Sequence, residues 1–189
     1  MIGTSDFLNV SPRDDVLCDS EMLFVDFYSS SRKTLTLGVF YRPPNSNLKP
    51  LEDLQSALNN LSTSELVLIG DFNLADFDWT NNTPLTGSDS YMLLTDIIQD
   101  NFLTQLVDQP TREGNILDLV LTSNEDLIDN LYVGEPFSDH NLVTFQLLNI
   151  PYIPRQTHRQ VYSYKNADWT HLKSLLEVTN WDCAFWDDD

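Results

Sequence analysis

Basic residues are what this sequence most conspicuously lacks. Its 189 residues hold ten Lys and Arg against 29 Asp and Glu, a formal net charge of −19, and between Leu51 and Thr111 neither Lys nor Arg occurs. A protein that grips nucleic acid through its own field has the opposite balance. Cysteine is scarce as well. Cys18 and Cys183 lie far apart and in no metal-ligand spacing, which supports neither a disulfide framework nor a zinc site and predicts free thiols in a reducing compartment. No stretch of eighteen apolar residues occurs, so no transmembrane helix and no membrane partner is expected. Met1-Ile-Gly-Thr-Ser-Asp6 has no basic segment leading into an apolar run, so no signal peptide is expected either. These absences together predict an intracellular protein, nuclear or cytoplasmic.

What is present suffices for a folded domain. Hydrophobic residues make up 41% of the chain and aromatics 11%, enough for a core, which excludes wholesale disorder. The length suits one domain, or one domain and a tail. The carboxylate excess leaves two readings open: a solvated acidic surface, or carboxylates that converge on a divalent cation.

Hydrophobic periodicity sets the elements. Glu21-Met-Leu-Phe-Val-Asp-Phe-Tyr28 and Thr34-Leu-Thr-Leu-Gly-Val-Phe-Tyr41 read as a hairpin around a turn at 29–33, after twenty polar, irregular residues. Pro43 and Pro44 stop the second strand. Leu51, Leu54, Leu58 and Leu61 form one face of a helix with Pro50 in its first turn. Glu65-Leu-Val-Leu-Ile-Gly70 reads as a buried strand, and 71–87 as loop. A second helix is expected from Ser88 or Asp89 to Asp100, with Tyr91, Leu94, Ile97 and Ile98 inward. Short strands follow near 102–107, 116–122 and 131–133, and a last one at 141–148. Strands and helices are mixed rather than alternating, which predicts stacked β-sheets with helices outside. Pro151 and Pro154 break the chain, so a domain boundary is expected near 150. A short amphipathic helix carrying Trp169, Leu172, Leu175 and Leu176 lies beyond it.

Three clusters place polar residues at the ends of apolar strands. In Gly70-Asp71-Phe72-Asn73, alternate side chains share a side, so Asp71 and Asn73 point together. A carboxylate there can take a proton from water and an amide can hold that water; a strand-ending Asx turn is the other reading. His140, in Ser138-Asp139-His140, can transfer a proton or stabilise phosphoryl charge, or simply pack at a strand entry. Asp118 sits inside the apolar Ile116-Leu-Asp-Leu-Val-Leu121, where a carboxylate needs a partner. An imidazole is the obvious one, with Asp118 orienting His140. A salt bridge is the alternative, but Arg112 is the only basic residue between Leu51 and Ile150. Tyr41 and Arg42, before Pro43-Pro44, either contact a phosphate or pack on the prolines.

Val39-Phe-Tyr-Arg-Pro-Pro44, Leu66-Val-Leu-Ile-Gly-Asp-Phe-Asn73, Asp108-Gln-Pro-Thr-Arg112, Ile116-Leu-Asp-Leu-Val-Leu-Thr-Ser123 and Phe137-Ser-Asp-His140, in this order, carry a resemblance. The chain resembles the endonuclease/exonuclease/phosphatase superfamily, and within it the endonuclease domain of non-LTR retrotransposons, over about residues 10 to 148. The resemblance implies an α+β fold: a partial four-layer α/β sandwich of two stacked, mostly antiparallel sheets with flanking helices. Residues 1–148 would form an incomplete domain of that type, and 149–189 the linker toward a reverse transcriptase domain and its short helix.

By the same resemblance the activity is phosphodiester hydrolysis of DNA with Mg²⁺ or Mn²⁺. Asp71 and Asn73 would activate or orient water, His140 with Asp118 would stabilise or protonate the phosphate oxygen, and Tyr41 would lie near the scissile phosphate. Asp139 would sit near the metal, and Arg42 and Arg112 would contact substrate phosphates. The family's upstream strands, one with an Asn and the next with a metal-binding Glu, have no counterpart here; Glu21 is the only substitute, in a different strand context. The expectation is therefore an N-terminally incomplete domain with impaired activity. The alternatives are a non-catalytic acidic interaction protein and a phosphoesterase of small or lipid substrates.

Overall fold

β-branched and aromatic residues alternate in the N-terminal third, and that alternation builds the centre of the fold. The computed structural model describes residues 10–16, 18–28, 34–79, 81, 83–148, 165 and 167–181. They belong to two units, 1–154 and 155–189. In the first unit, β1 (Val10–Pro12), β2 (Met22–Tyr28), β3 (Thr34–Tyr41), β4 (Glu65–Asp71), β7 (Thr104–Gln105) and β8 (Asp118–Thr122) form one sheet. Its order is β1-β2-β3-β4-β8-β7. Only β3 and β4 run parallel. Helix α1 (Lys49–Asn60) connects those two, as a parallel pair requires a crossover.

One face of this sheet carries the helices. Phe24, Phe40, Leu68, Leu119 and Leu121 meet Leu51, Leu54 and Leu58 of α1 and Tyr91, Leu94 and Ile97 of α2 (Asp89–Asp100), all buried. The small hairpin of β5 (Phe77–Asp78) and β6 (Thr83–Pro84) lies between α1 and α2 in the chain, and Phe77 joins this core. The opposite face, with Val25, Leu35, Val67, Ile69 and Val120, packs on a second, two-stranded sheet of β9 (Ile128–Pro136) and β10 (Asn141–Leu147). The result is α+β with three stacked layers among the described residues: helices, six-stranded sheet, hairpin.

Gly70 lets β3 and β4 approach at the site end of the sheet. Its φ is +149°, and a Cβ there would lie 1.7 Å from the Phe40 carbonyl oxygen. No other residue type fits that backbone and that space.

Several boundaries differ from the sequence reading. The N-terminal segment expected to be irregular contains β1, paired to β2 through Val10 and Phe27. The loop at 71–87 contains β5 and β6. The strand expected at 102–107 shrinks to two residues, and Phe102 is 86% exposed. β9 has nine residues instead of three, because pairing with β10 sustains it through polar positions that propensity alone would not. The turn expected at 29–33 and the segment 149–164 lie outside the described residues. Cys18 is exposed and free; Cys183 also lies outside them. In the second unit, α3 (Trp169–Val178) starts at Asp168, whose carboxylate accepts the His171 N–H, and Trp169, Leu172, Leu175 and Leu176 are exposed. Among the described residues, no helix is long and apolar enough to cross a membrane.

Candidate active site

Register places the site. Tyr41 pairs with Asp71 across β3 and β4, and Asp71 pairs with Asp118 across β4 and β8. The next row on the same face, Val39, Ile69 and Val120, is apolar. Strand alternation therefore sends Tyr41, Asp71 and Asp118 to the face that the β9–β10 hairpin covers, in one line at its end. Tyr41 is 38% exposed. Glu21 continues the line at the backbone, its carbonyl accepting the Tyr41 N–H at 2.9 Å, and its side chain is exposed.

His140 comes from the turn between β9 and β10. Its Nδ1 lies 2.7 Å from Asp118 Oδ2, and its Nε2 lies 3.8 Å from Asp71 Oδ2. The first distance is a hydrogen bond; the second is too long for one and leaves room for an oxygen atom touching both groups. A cavity of about 310 Å³, lined by Ile69, Val120, Phe137, Val143 and Phe145, adjoins Asp118 and His140.

The core places Asp71 and Asn73. Phe72 between them is fully buried, its ring 4.9 Å from that of Phe40, and its N–H donates to the Leu117 carbonyl. Beyond it Asn73 adopts φ 49°, a left-handed conformation Asn tolerates. The Asn73 backbone N–H donates to Asp71 Oδ1 at 2.9 Å, and its side-chain Nδ2 donates to Asp71 Oδ2 and to the Arg42 carbonyl, both at 2.8 Å. The Asx turn and the convergence of the two side chains are thus one arrangement, and the amide oxygen is the end Asn73 can offer to a water. Burial pushes the Asp71 carboxyl above its ordinary range, with Asp118 adding repulsion, while the Asn73 bonds and His140 pull it back.

Asp139, Arg42 and Arg112 stand apart from this centre. The Asp139 carboxylate is exposed and accepts from Arg112 Nη2 at 2.8 Å and from the Ser138 hydroxyl at 3.0 Å. Its own backbone N–H and Ser138, then Arg112, hold its carboxyl below the ordinary range. Arg42 is 4% exposed and donates to the carbonyls of Ser46 at 2.6 Å and Asn73 at 3.4 Å. Burial lowers its pKa. Its guanidinium braces the loop after β4 and the Pro43–Ser46 turn through these bonds. Arg112 keeps an exposed edge beside Asp139.

Thr111 carries no sequence signal beyond its place in Asp108-Gln-Pro-Thr-Arg112, yet it is fully buried beside the site. Its hydroxyl accepts the N–H groups of Leu117 and Asp118 at 3.0 and 3.1 Å. Its carbonyl accepts the Asn141 N–H at 2.7 Å.

The donor set suits a divalent cation. One ligand atom each from Asp71, Asp118 and His140 lie within 4.8 Å of one another. The two carboxylates are the hard oxygen donors such a cation takes, and His140 stands beside them. Asp139, held by Arg112, is outside that group.

Solved structures similar to the chain include three from bacteria and Xenopus laevis. An endonuclease/exonuclease/phosphatase family protein from Leptotrichia buccalis C-1013-b is 16% identical, with a TM-score of 0.46 over 76% of this chain and 62% of that one. The APE2 catalytic domain of Xenopus laevis is 16% identical, with a TM-score of 0.41 over 69% and 57%. An endonuclease/exonuclease/phosphatase family protein from Bacteroides thetaiotaomicron is 11% identical, with a TM-score of 0.36 over 65% and 52%. The chain thus spans between about half and three fifths of their lengths. No curated protein sequence matches it significantly. The sequence profile described as endonuclease-reverse transcriptase matches residues 35–144, which include every residue of the site from Tyr41 to His140. With more than half of its residues matched, the chain belongs to the endonuclease–reverse transcriptase family.

Proposed function

We propose that this chain hydrolyses phosphodiester bonds of DNA with a divalent metal, as the endonuclease unit of a retrotransposon-type protein. The observation that carries the reading is the line Tyr41–Asp71–Asp118 at one sheet end, closed by His140 with its Nε2 3.8 Å from Asp71. Asp71, its proton affinity raised by burial, takes the proton of a water that the Asn73 amide oxygen holds. His140 directs Nε2–H at a phosphate oxygen, with Asp118 fixing the ring through Nδ1. The Tyr41 hydroxyl donates to another phosphate oxygen, and Arg112 offers its exposed edge beside Asp139. The Asp71 and Asp118 carboxylates would hold the cation beside His140, with Asp139 free to approach it when its pair with Arg112 opens. When bound, the cation supplies charge neutralisation at the phosphate, which an acidic chain otherwise repels.

In this proposal residues 1–148 are the hydrolytic unit and 149–189 a connector toward a reverse transcriptase domain. Turnover is low, because two carboxylates hold Mg²⁺ weakly and a net charge of −19 opposes DNA binding. That charge also favours a second reading, an acidic interaction protein without catalysis.

Supercoiled plasmid incubated with the chain and Mg²⁺ or Mn²⁺ tests the proposal. Slow nicking that rises with metal concentration and disappears in His140→Ala supports it. A folded chain that leaves plasmid intact at every metal concentration supports the acidic interaction protein, and hydrolysis confined to small or lipid phosphoesters removes DNA as the substrate.

A further inference from the structure

Asp118 lies in the six-stranded sheet and His140 in the turn of the β9–β10 hairpin, so their hydrogen bond depends on how those two sheets are held together at this end. Asp118 opens β8, and its backbone N–H goes to the Thr111 hydroxyl. His140 immediately precedes β10, and the N–H of the next residue, Asn141, goes to the Thr111 carbonyl. The turn is pinned on its other side by the Phe137 N–H, which donates to the His140 carbonyl at 3.0 Å. Neighbours of Thr111 reinforce the link: the Asn141 side-chain amide donates to the Pro110 carbonyl at 3.0 Å, and Arg112 pairs with Asp139. Thr111 therefore bonds the backbone at Asp118 and at the residue that follows His140, from a position with no solvent exposure.

We propose that Thr111 is a positioning residue that sets the Asp118–His140 hydrogen bond by bridging the start of β8 to the start of β10. The proposal rests on the reading of Asp118 and His140 as the working pair. The physical case is one of tolerance. A bond at 2.7 Å is lost if the groups separate by about 1 Å, and misplacement of that size costs a reacting site roughly 100-fold. The Thr111 hydroxyl accepts two buried N–H groups, and a valine, which has the same shape, cannot accept either.

The test uses the full chain and reads the imidazole directly. An Nδ1 proton held by a carboxylate gives a proton resonance far downfield, protected from exchange with water. Asp118→Ala defines its loss. The expected result is that Thr111→Val loses or broadens this resonance and Thr111→Ser keeps it. Thr122→Val should also keep it; Thr122 is a fully buried threonine at the far end of β8 from Asp118 and serves as the matched control for lost stability. In a chain that cleaves, Thr111→Val lowers kcat roughly 10- to 100-fold with KM changed less than about twofold, and Thr111→Ser restores most of it.

An unchanged resonance in Thr111→Val, or equal loss in Thr122→Val, overturns the proposal. If Thr111→Val does not fold, amide exchange of the unaltered chain decides. The Asp118 and Asn141 amides should be protected to within about tenfold of each other, and exchange at Asn141 more than about 100-fold faster than at Asp118 overturns the bridge. Absence of any hydrolysis, with the resonance behaving as described, counts against the proposed function and leaves the positioning role standing.

Discussion

His140 Nδ1 stands 2.7 Å from Asp118 Oδ2 across 22 residues of chain and a change of sheet. With Nδ1 engaged in this way, Nε2 is the nitrogen that faces Asp71. Asp118→Asn preserves shape but removes the charge and disturbs the tautomer. It should reduce the cleavage rate by about 10²- to 10⁴-fold, and His140→Ala should bring nicking to background. Single-turnover plasmid assays at saturating metal measure both. Activity in Asp118→Asn within a factor of two of the unaltered chain would count against the pair.

The raised Asp71 carboxyl makes a prediction about stability and pH. Its folded-state pKa lies above the unfolded value, so the stability linked to its proton is fully present below that unfolded value and is lost as pH rises through the folded one. The melting temperature of Asp71→Asn should therefore improve relative to the unaltered chain as pH climbs from about 4 toward neutrality. Thermal scans at matched pH values check this. A difference that is constant or shrinks over that range is the contrary result.

Asp139 tests the opposite sign. Its own backbone N–H and the Ser138 hydroxyl outrank Arg112 in holding its carboxyl low. In a carbon-detected NMR titration, Ser138→Ala should raise the Asp139 pKa more than Arg112→Ala does. The Arg112–Asp139 pair lies at the surface, so Arg112→Ala should cost less than about 1 kcal/mol of stability. A larger loss would assign Arg112 to the architecture rather than to substrate.

Gly70→Ala should be among the most damaging single changes, because its Cβ would overlap the Phe40 carbonyl. A loss of about 3 kcal/mol or more is expected. Gly87→Ala, where a Cβ meets nothing within 4 Å, should change stability by less than about 0.5 kcal/mol. Chemical denaturation of both variants makes the comparison, and similar midpoints would mean that β3 and β4 do not approach as described.

Much of the site was legible because strand periodicity is local. Asp71 and Asn73 flank a residue the core demands, Phe72, so their shared direction follows from the sequence. The apolar setting of Asp118 likewise demanded a partner, and few cations were on offer. Other features were hidden. Arg42 reads as a phosphate contact beside Tyr41; the fold buries it, with Nη1 and Nη2 donating to the Asn73 and Ser46 carbonyls and Nε left without a hydrogen-bond partner. β9 is extended through Asp129 and Asn130 by pairing with β10, which no local propensity announces.

The sequence by itself determined the helix faces, the central strands and the residue types at their ends, since each depends on neighbours within a few positions. Tertiary structure alone decided that Tyr41, Asp71 and Asp118 share one line, that His140 closes it from another sheet, and that Thr111 bonds the chain at both Asp118 and Asn141. Register and sheet stacking are set by pairing between distant segments. A one-residue slip would turn the same carboxylates to the opposite face without changing a letter of the sequence.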